Sequence, residues 1–164
     1  MQTWKLLAAL SIACASSATA APDASKPAPK ADACQATGKV LFEIDHRVSP
    51  GAKLGTSTIK LFTSGAWTRD ETDADGNALP QTSGCLTKPE VKQVASSLHS
   101  APWKVSTAKI RCMAVSPQFT EYHLDGKLVF TQRLCSGQSL DTKSAAALDA
   151  ASKKVDAATA STGP

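Results

Sequence analysis

At 164 residues with a formal charge of +4 at pH 7, the chain has room for one compact domain with appendages. Its lysines and arginines are spread out, which excludes the dense basic face that nucleic acid demands. Five cysteines without a C-x-x-C pair give no support to a zinc ribbon or a thioredoxin-like centre.

The chain opens with Lys5, an apolar run from Leu6 to Ala15, and Ala18-Thr19-Ala20, the small-x-small pattern that a signal peptidase accepts. Residues 1–20 therefore read as a signal peptide cut between Ala20 and Ala21. The apolar run is too short for a stable transmembrane anchor. A competing reading makes Cys14 the lipidated residue of an anchored lipoprotein, although Ser11 stands where such signals usually carry Leu or Val. Cleavage removes Lys5 from the 18 basic residues set against 14 acidic ones, leaving +3, and removes Cys14 from the five cysteines, leaving four. An exported chain, periplasmic or secreted, with Cys34, Cys85, Cys112 and Cys135 is expected to carry two disulfides.

Residues 21–37 are rich in Ala, Pro and Lys, contain no large apolar side chain, and read as a disordered linker. A single domain follows over 38–155. Val40, Phe42, Ile44 and Val48 alternate with Leu41, Glu43, Asp45 and Arg47, the period-two pattern of a half-buried strand that places His46 on the apolar face. Pro50-Gly51 breaks it, and Ile59, Leu61 and Phe62 mark a second strand. After Ser64-Gly65 a third runs from Ala66 to Thr72, anchored by Trp67. Ala78 to Ser83 is expected to form a short fourth strand, held to the sheet edge by Pro80.

Thr87 and Glu90 make a T-x-x-E capping box, with Pro89 in the first turn. Val91, Val94, Ala95 and Leu98 then line one helical face until Ala101-Pro102 ends it. The segment from Ile110 to Cys135 reads as a β-hairpin turning at Asp125-Gly126. A three-residue loop with Gly126 as a left-handed bulge would gather Tyr122, Leu124, Leu128 and Phe130 on one side. Leu140 and Asp141 look like a hydrophobic position and an N-cap, opening an Ala-rich helix with Leu148, Ala151 and Val155 inward. Residues 156–164 are expected to be a disordered tail.

Three patterns imitate functional motifs. Glu71, Asp73, Asp75 and Gly76 resemble the start of an EF-hand loop, but the closing bidentate Glu falls at Thr82. Ser57 to Lys60 and Ser106 to Lys109 match S-x-x-K, yet both lie near strands, and the SDN and KTG partners of that chemistry are missing from the sequence. His46, His99 and His123 are the only histidines. Asp45 is adjacent to His46, but strand neighbours point to opposite faces, so that carboxylate cannot orient that ring. His46 reads as a hydrogen-bonded core or pocket histidine, His99 as a helix-end cation and His123 as solvent-facing.

If Gly126 is the bulge, His123 pairs with Lys127 and Cys135 falls opposite Val115. That disfavours Cys112–Cys135 unless a bulge at Ser116-Pro117 shifts the pairing, and favours Cys85–Cys112 with Cys34–Cys135, ahead of Cys34–Cys112 with Cys85–Cys135. The order of a strand meander, a capped helix, a DG hairpin and a closing helix over Gly38 to Val155 resembles emfourin-type inhibitors of metalloproteases. That resemblance implies a protein partner; no inhibitory motif matches residue by residue, and the four cysteines depart from the pattern. The sequence thus leads to an α+β fold, an antiparallel sheet with two helices packed on one face and disulfides to stabilise it. It also leads to an exported, non-enzymatic binding module that takes another protein as partner and needs no cofactor or metal. A small hydrolase using His46 in a pocket is the alternative.

Overall fold

The computed structural model of the chain describes residues 35–111 and 116–160. The signal peptide with its Ala20–Ala21 junction, Cys14, Cys34 and Cys112 lie outside the described residues. The fold is α+β. Strands β1 (Val40–Val48), β2 (Thr56–Phe62), β3 (Ala66–Thr72), β4 (Thr82–Cys85), β6 (Gln118–Leu124) and β7 (Lys127–Arg133) form a six-stranded antiparallel sheet in the order β4-β3-β2-β1-β6-β7. Two three-residue strands, β5 (Val105–Thr107) and β8 (Gln138–Leu140), pair separately. Helices α1 (Lys88–His99) and α2 (Thr142–Ala160) follow β4 and β8.

The register sorts the side chains into rows. Leu124, Phe42, Leu61 and Trp67 stand side by side across four strands, and Phe130, Tyr122, Ile44 and Ile59 form the next row. Both rows enter one core with Val94 and Leu98 of α1 and Leu148, Ala151 and Val155 of α2. Both helices therefore cover the same face. The opposite face carries Glu43, Asp45 and Arg47 of β1 with Lys60 of β2 and Glu121 and His123 of β6, the alternation of a sheet solvated on one side.

Each helix begins where its side chains satisfy the free N–H groups of the first turn. At α1 the Glu90 carboxylate accepts from the Thr87 N–H (2.9 Å) and hydroxyl (2.8 Å). At α2 Asp141 Oδ1 accepts from the N–H groups of Lys143 (3.0 Å) and Ser144 (3.1 Å). Trp103 closes the far end of α1, its indole N–H donating to the Leu98 carbonyl at 3.1 Å.

Four expectations need correction. The hairpin has a two-residue loop, because Leu124 pairs with Lys127 and both Asp125 (φ 50°) and Gly126 (φ 75°) are left-handed. His123 consequently faces Leu128, not Lys127, and the extra residue is Val129, between Leu128 and Phe130. This bulge returns Phe130 to the core beside Tyr122 while Leu128 turns out to solvent, 54% exposed. Second, the fourth strand is Thr82–Cys85; Ala78 makes only an isolated bridge to Thr72, and Pro80, with no N–H to give a ladder, precedes the strand. Third, Leu41 is buried like Phe42, since β1 bulges between Val40 and Phe42. Fourth, α2 runs through residue 156 to Ala160, with Ala158 packed against the core.

Gly126 keeps its left-handed φ in the corrected turn, and no heavy atom lies within 4 Å of the point where a Cβ would stand. Gly126→Ala should therefore destabilise by about 1 kcal/mol through backbone strain alone. Urea denaturation checks this; a neutral result would place the turn in another conformation.

Candidate functional site

Where α2 ends, the helix-covered face of the sheet turns polar. The third row across the strands holds Gln132, Thr120, His46, Ser57 and Glu71. His46 Nδ1 lies 2.9 Å from the Thr120 hydroxyl. His46 is itself exposed on the sheet, but partial desolvation of the imidazole pushes it below its usual range, and the charge of Arg69 adds to this, against the opposing pull of Asp156 and Asp45. A neutral base beside a hydroxyl is the beginning of a hydrolytic pair, but Asp45 lies on the other face. There it accepts from the Thr58 hydroxyl at 2.9 Å and from Arg47 at 2.6 Å, so the ring receives no orientation from its sequence neighbour.

The other histidines fall into different settings. His99, at the end of α1, pairs with Asp125 of the hairpin turn at 2.8 Å and ties the helix to the loop. His123 is on the open face as expected, but only partly exposed; its Nε2 is buried without a hydrogen-bond partner and stands 3.8 Å from Glu121.

The EF-hand imitation is a self-satisfied turn. Asp73 Oδ1 accepts from the N–H groups of Asp75 and Asn77, both at 2.9 Å, and Oδ2 from the Asn77 amide at 3.0 Å. Those bonds hold the Asp73 carboxyl below the usual range, led by the Asn77 amide. Among the described residues no group of three or more His, Cys, Asp or Glu side chains converges as a metal site would require. Ser57 and Lys60 point to opposite faces of β2, while Ser106 spends its hydroxyl on Ser139 at 2.8 Å.

A concavity lies elsewhere. After β7 the chain turns through Leu134–Gly137, where Cys135 (φ 65°) and Gly137 (φ 69°) are left-handed, and β8 leaves the sheet to pair with β5. A cleft of about 410 Å3 opens between β7, β8 and the first half of α2. Its apolar lining includes Tyr122, Phe130, Leu140 and Leu148; Gln132, Asp149 and Ser152 are among its polar groups. Phe42, Tyr122 and Phe130 stack with centroids 6.4 and 6.3 Å apart, which makes that wall rigid, and the Tyr122 hydroxyl donates to Gln132 at 2.9 Å. Leu134 and Ile110, 68% and 50% exposed, flank the same turn: Ile110 lies 3.5 Å from the position a Cβ would take on Gly137. The cleft has no signature in sequence spacing, because its walls come from four segments that only the fold assembles.

Titration of these groups fixes the sign of the acid response. Glu90 and Asp141 are held below the usual carboxylate range, chiefly by the Thr87 N–H and the Ser144 hydroxyl respectively, and Asp73 behaves likewise. A depressed carboxylate contributes stability above its unfolded pKa of about 4, and the contribution is lost as pH falls through the folded value. Depressed His46 acts in the same direction, since the unfolded chain takes up its proton first as pH drops below about 6.5. The urea midpoint should hold steady above pH 7, decline below about 6.5 and decline further below about 4. A midpoint that rose on acidification would contradict these assignments.

The chain matches no family model, no curated protein and no solved structure. Among the described residues no helix is long and apolar enough to cross a membrane.

Proposed function

We propose that the chain is an exported, disulfide-stabilised binding module that seats a segment of another protein in the cleft beside β7. One observation carries this reading. The cleft, of about 410 Å3, has a rigid aromatic wall and polar groups, and exposed Leu134 and Ile110 stand at the adjoining turn. A volume of this size suits a buried anchor side chain, and exposed apolar residues beside it favour a macromolecular partner over a small solute. The bonded state of Cys85 and Cys135 supports the disulfide part of the reading and, with it, export to an oxidising compartment. The resemblance to emfourin-type inhibitors makes a secreted metalloprotease the first partner to try. The hydrolase alternative rests on His46 and Thr120, which do not line this cleft.

Ala145 sits exposed on α2 at the cleft wall, so Ala145→Trp fills the opening without touching the core. Full-length protein immobilised as bait in culture medium should retain a partner that the Ala145→Trp bait loses at least tenfold, while His46→Ala retains it. Equal capture by wild type and Ala145→Trp, or peptide or ester hydrolysis by the chain itself that His46→Ala abolishes, would overturn the proposal.

A further inference from the structure

We infer that Cys34 is disulfide-bonded to Cys85, a cross-link that pins the linker to the β4 edge of the sheet and leaves Cys112 for Cys135. The inference follows from strand order. Gln35, next in the chain to Cys34, is held at the turn between β2 and β3, where its carbonyl accepts from the Ser64 hydroxyl at 3.1 Å. Lys39 continues this attachment by accepting from the Thr63 N–H at 2.9 Å. Cys85 reaches the same turn from the other side. It pairs with Ala66, and the following residue, Leu86, donates its N–H to the Gly65 carbonyl at 2.8 Å. One turn, Thr63 to Ala66, thus carries the neighbours of both cysteines.

The other pairings fail on distance. Cys135 follows β7, three strand positions from β2 and five from β4. At roughly 4.8 Å per strand these are separations of about 14 and 24 Å, whereas a disulfide holds its α-carbons within about 7 Å. Cys34, one residue from Gln35, therefore cannot reach Cys135, and neither can Cys85. Both Cys85 and Cys135 are nevertheless bonded. With four cysteines in the processed chain, only Cys34–Cys85 and Cys112–Cys135 satisfy both facts, in place of the pairing that residue spacing alone favours. Each bond forms as two thiols lose two protons and two electrons to the disulfide of an exchange partner, which is reduced to a dithiol.

The cross-link stands independently of the proposed binding role.

Non-reducing tryptic mapping of the exported full-length protein decides the matter. Cleavage after Lys and Arg, with Lys88-Pro89 resistant, should release Ala31–Lys39 joined to Asp70–Lys92, and Cys112–Lys127 joined to Leu134–Lys143. A Cys34→Ser variant should expose one new thiol, at Cys85, to alkylation. Recovery of Ala31–Lys39 joined to Leu134–Lys143, recovery of Asp70–Lys92 joined to Cys112–Lys127, or a new thiol at Cys135 in the variant would overturn the inference.

Discussion

Trp67→Ala should destabilise the domain by about 3–5 kcal/mol, the cost of deleting a large core aromatic and leaving a cavity. Trp67 is 1% exposed and is the largest of the fully buried side chains. It occupies the row that joins β1, β2 and β3, so its loss removes contacts from the middle of the sheet and not from a margin. Against a typical total stability of about 5–15 kcal/mol, that loss should lower Tm by roughly 10–20 °C. Trp67→Phe should be milder, because the indole N–H has no hydrogen-bond partner to lose and most of the ring volume is kept. Gly84 supplies an internal check. A Cβ there would come within 2.7 Å of the Trp67 ring, so Gly84→Ala should cost about 1–3 kcal/mol by overpacking in the wild-type background. In the Trp67→Ala background the obstructing ring is gone, and the same substitution should be nearly neutral. Additive single and double mutants would refute this packing assignment.

Ser144→Ala should cost about 1–3 kcal/mol, far more than Ser to Ala at an exposed helix position. Ser144 is fully buried; its hydroxyl donates to Asp141 Oδ2 at 2.6 Å and accepts from the Trp103 N–H at 2.9 Å. The same Asp141 oxygen accepts from the Lys104 N–H at 3.1 Å, so one carboxylate and one hydroxyl fasten the chain after α1 to the start of α2. Removal of the hydroxyl leaves a donor on Trp103 unpaired in a half-buried corner. Trp103 is also one of three non-glycine residues with left-handed φ among the described residues, at 50°, a conformation that persists only while its surroundings hold it. Hydrogen exchange gives the specific readout: the Trp103 amide should lose its protection in Ser144→Ala while amides of the central strands follow only the global change. Unaltered protection at Trp103 would contradict the role given to the hydroxyl.

What the sequence made legible was local. The third strand, the Thr87–Glu90 box, the Asp141 cap and the turning point at Asp125-Gly126 each depend on residues within a few positions of one another, where backbone geometry and side-chain chemistry act directly. The bulge at Val129 was not legible, because two- and three-residue loops both satisfy the Asp-Gly signal and only packing against Tyr122 and Phe42 chooses between them. Strands β5 and β8 escaped notice for a related reason. Each has three residues, and their partnership spans more than thirty positions, so neither carries a period long enough to read. For the candidate site, the position of His46 on the inner face and its separation from Asp45 followed from the period of a strand. Its bond to Thr120, 74 residues away, did not, and neither did the cleft.

If a partner protein binds in the cleft between β7, β8 and α2 as proposed, hydrogen exchange on the complex recovered from culture medium should show new protection in Lys127–Arg133 and in the first half of α2, with β4 and α1 unchanged. Protection concentrated on β4, on α1 or around His46, with β7 and α2 unaffected, would contradict the proposal.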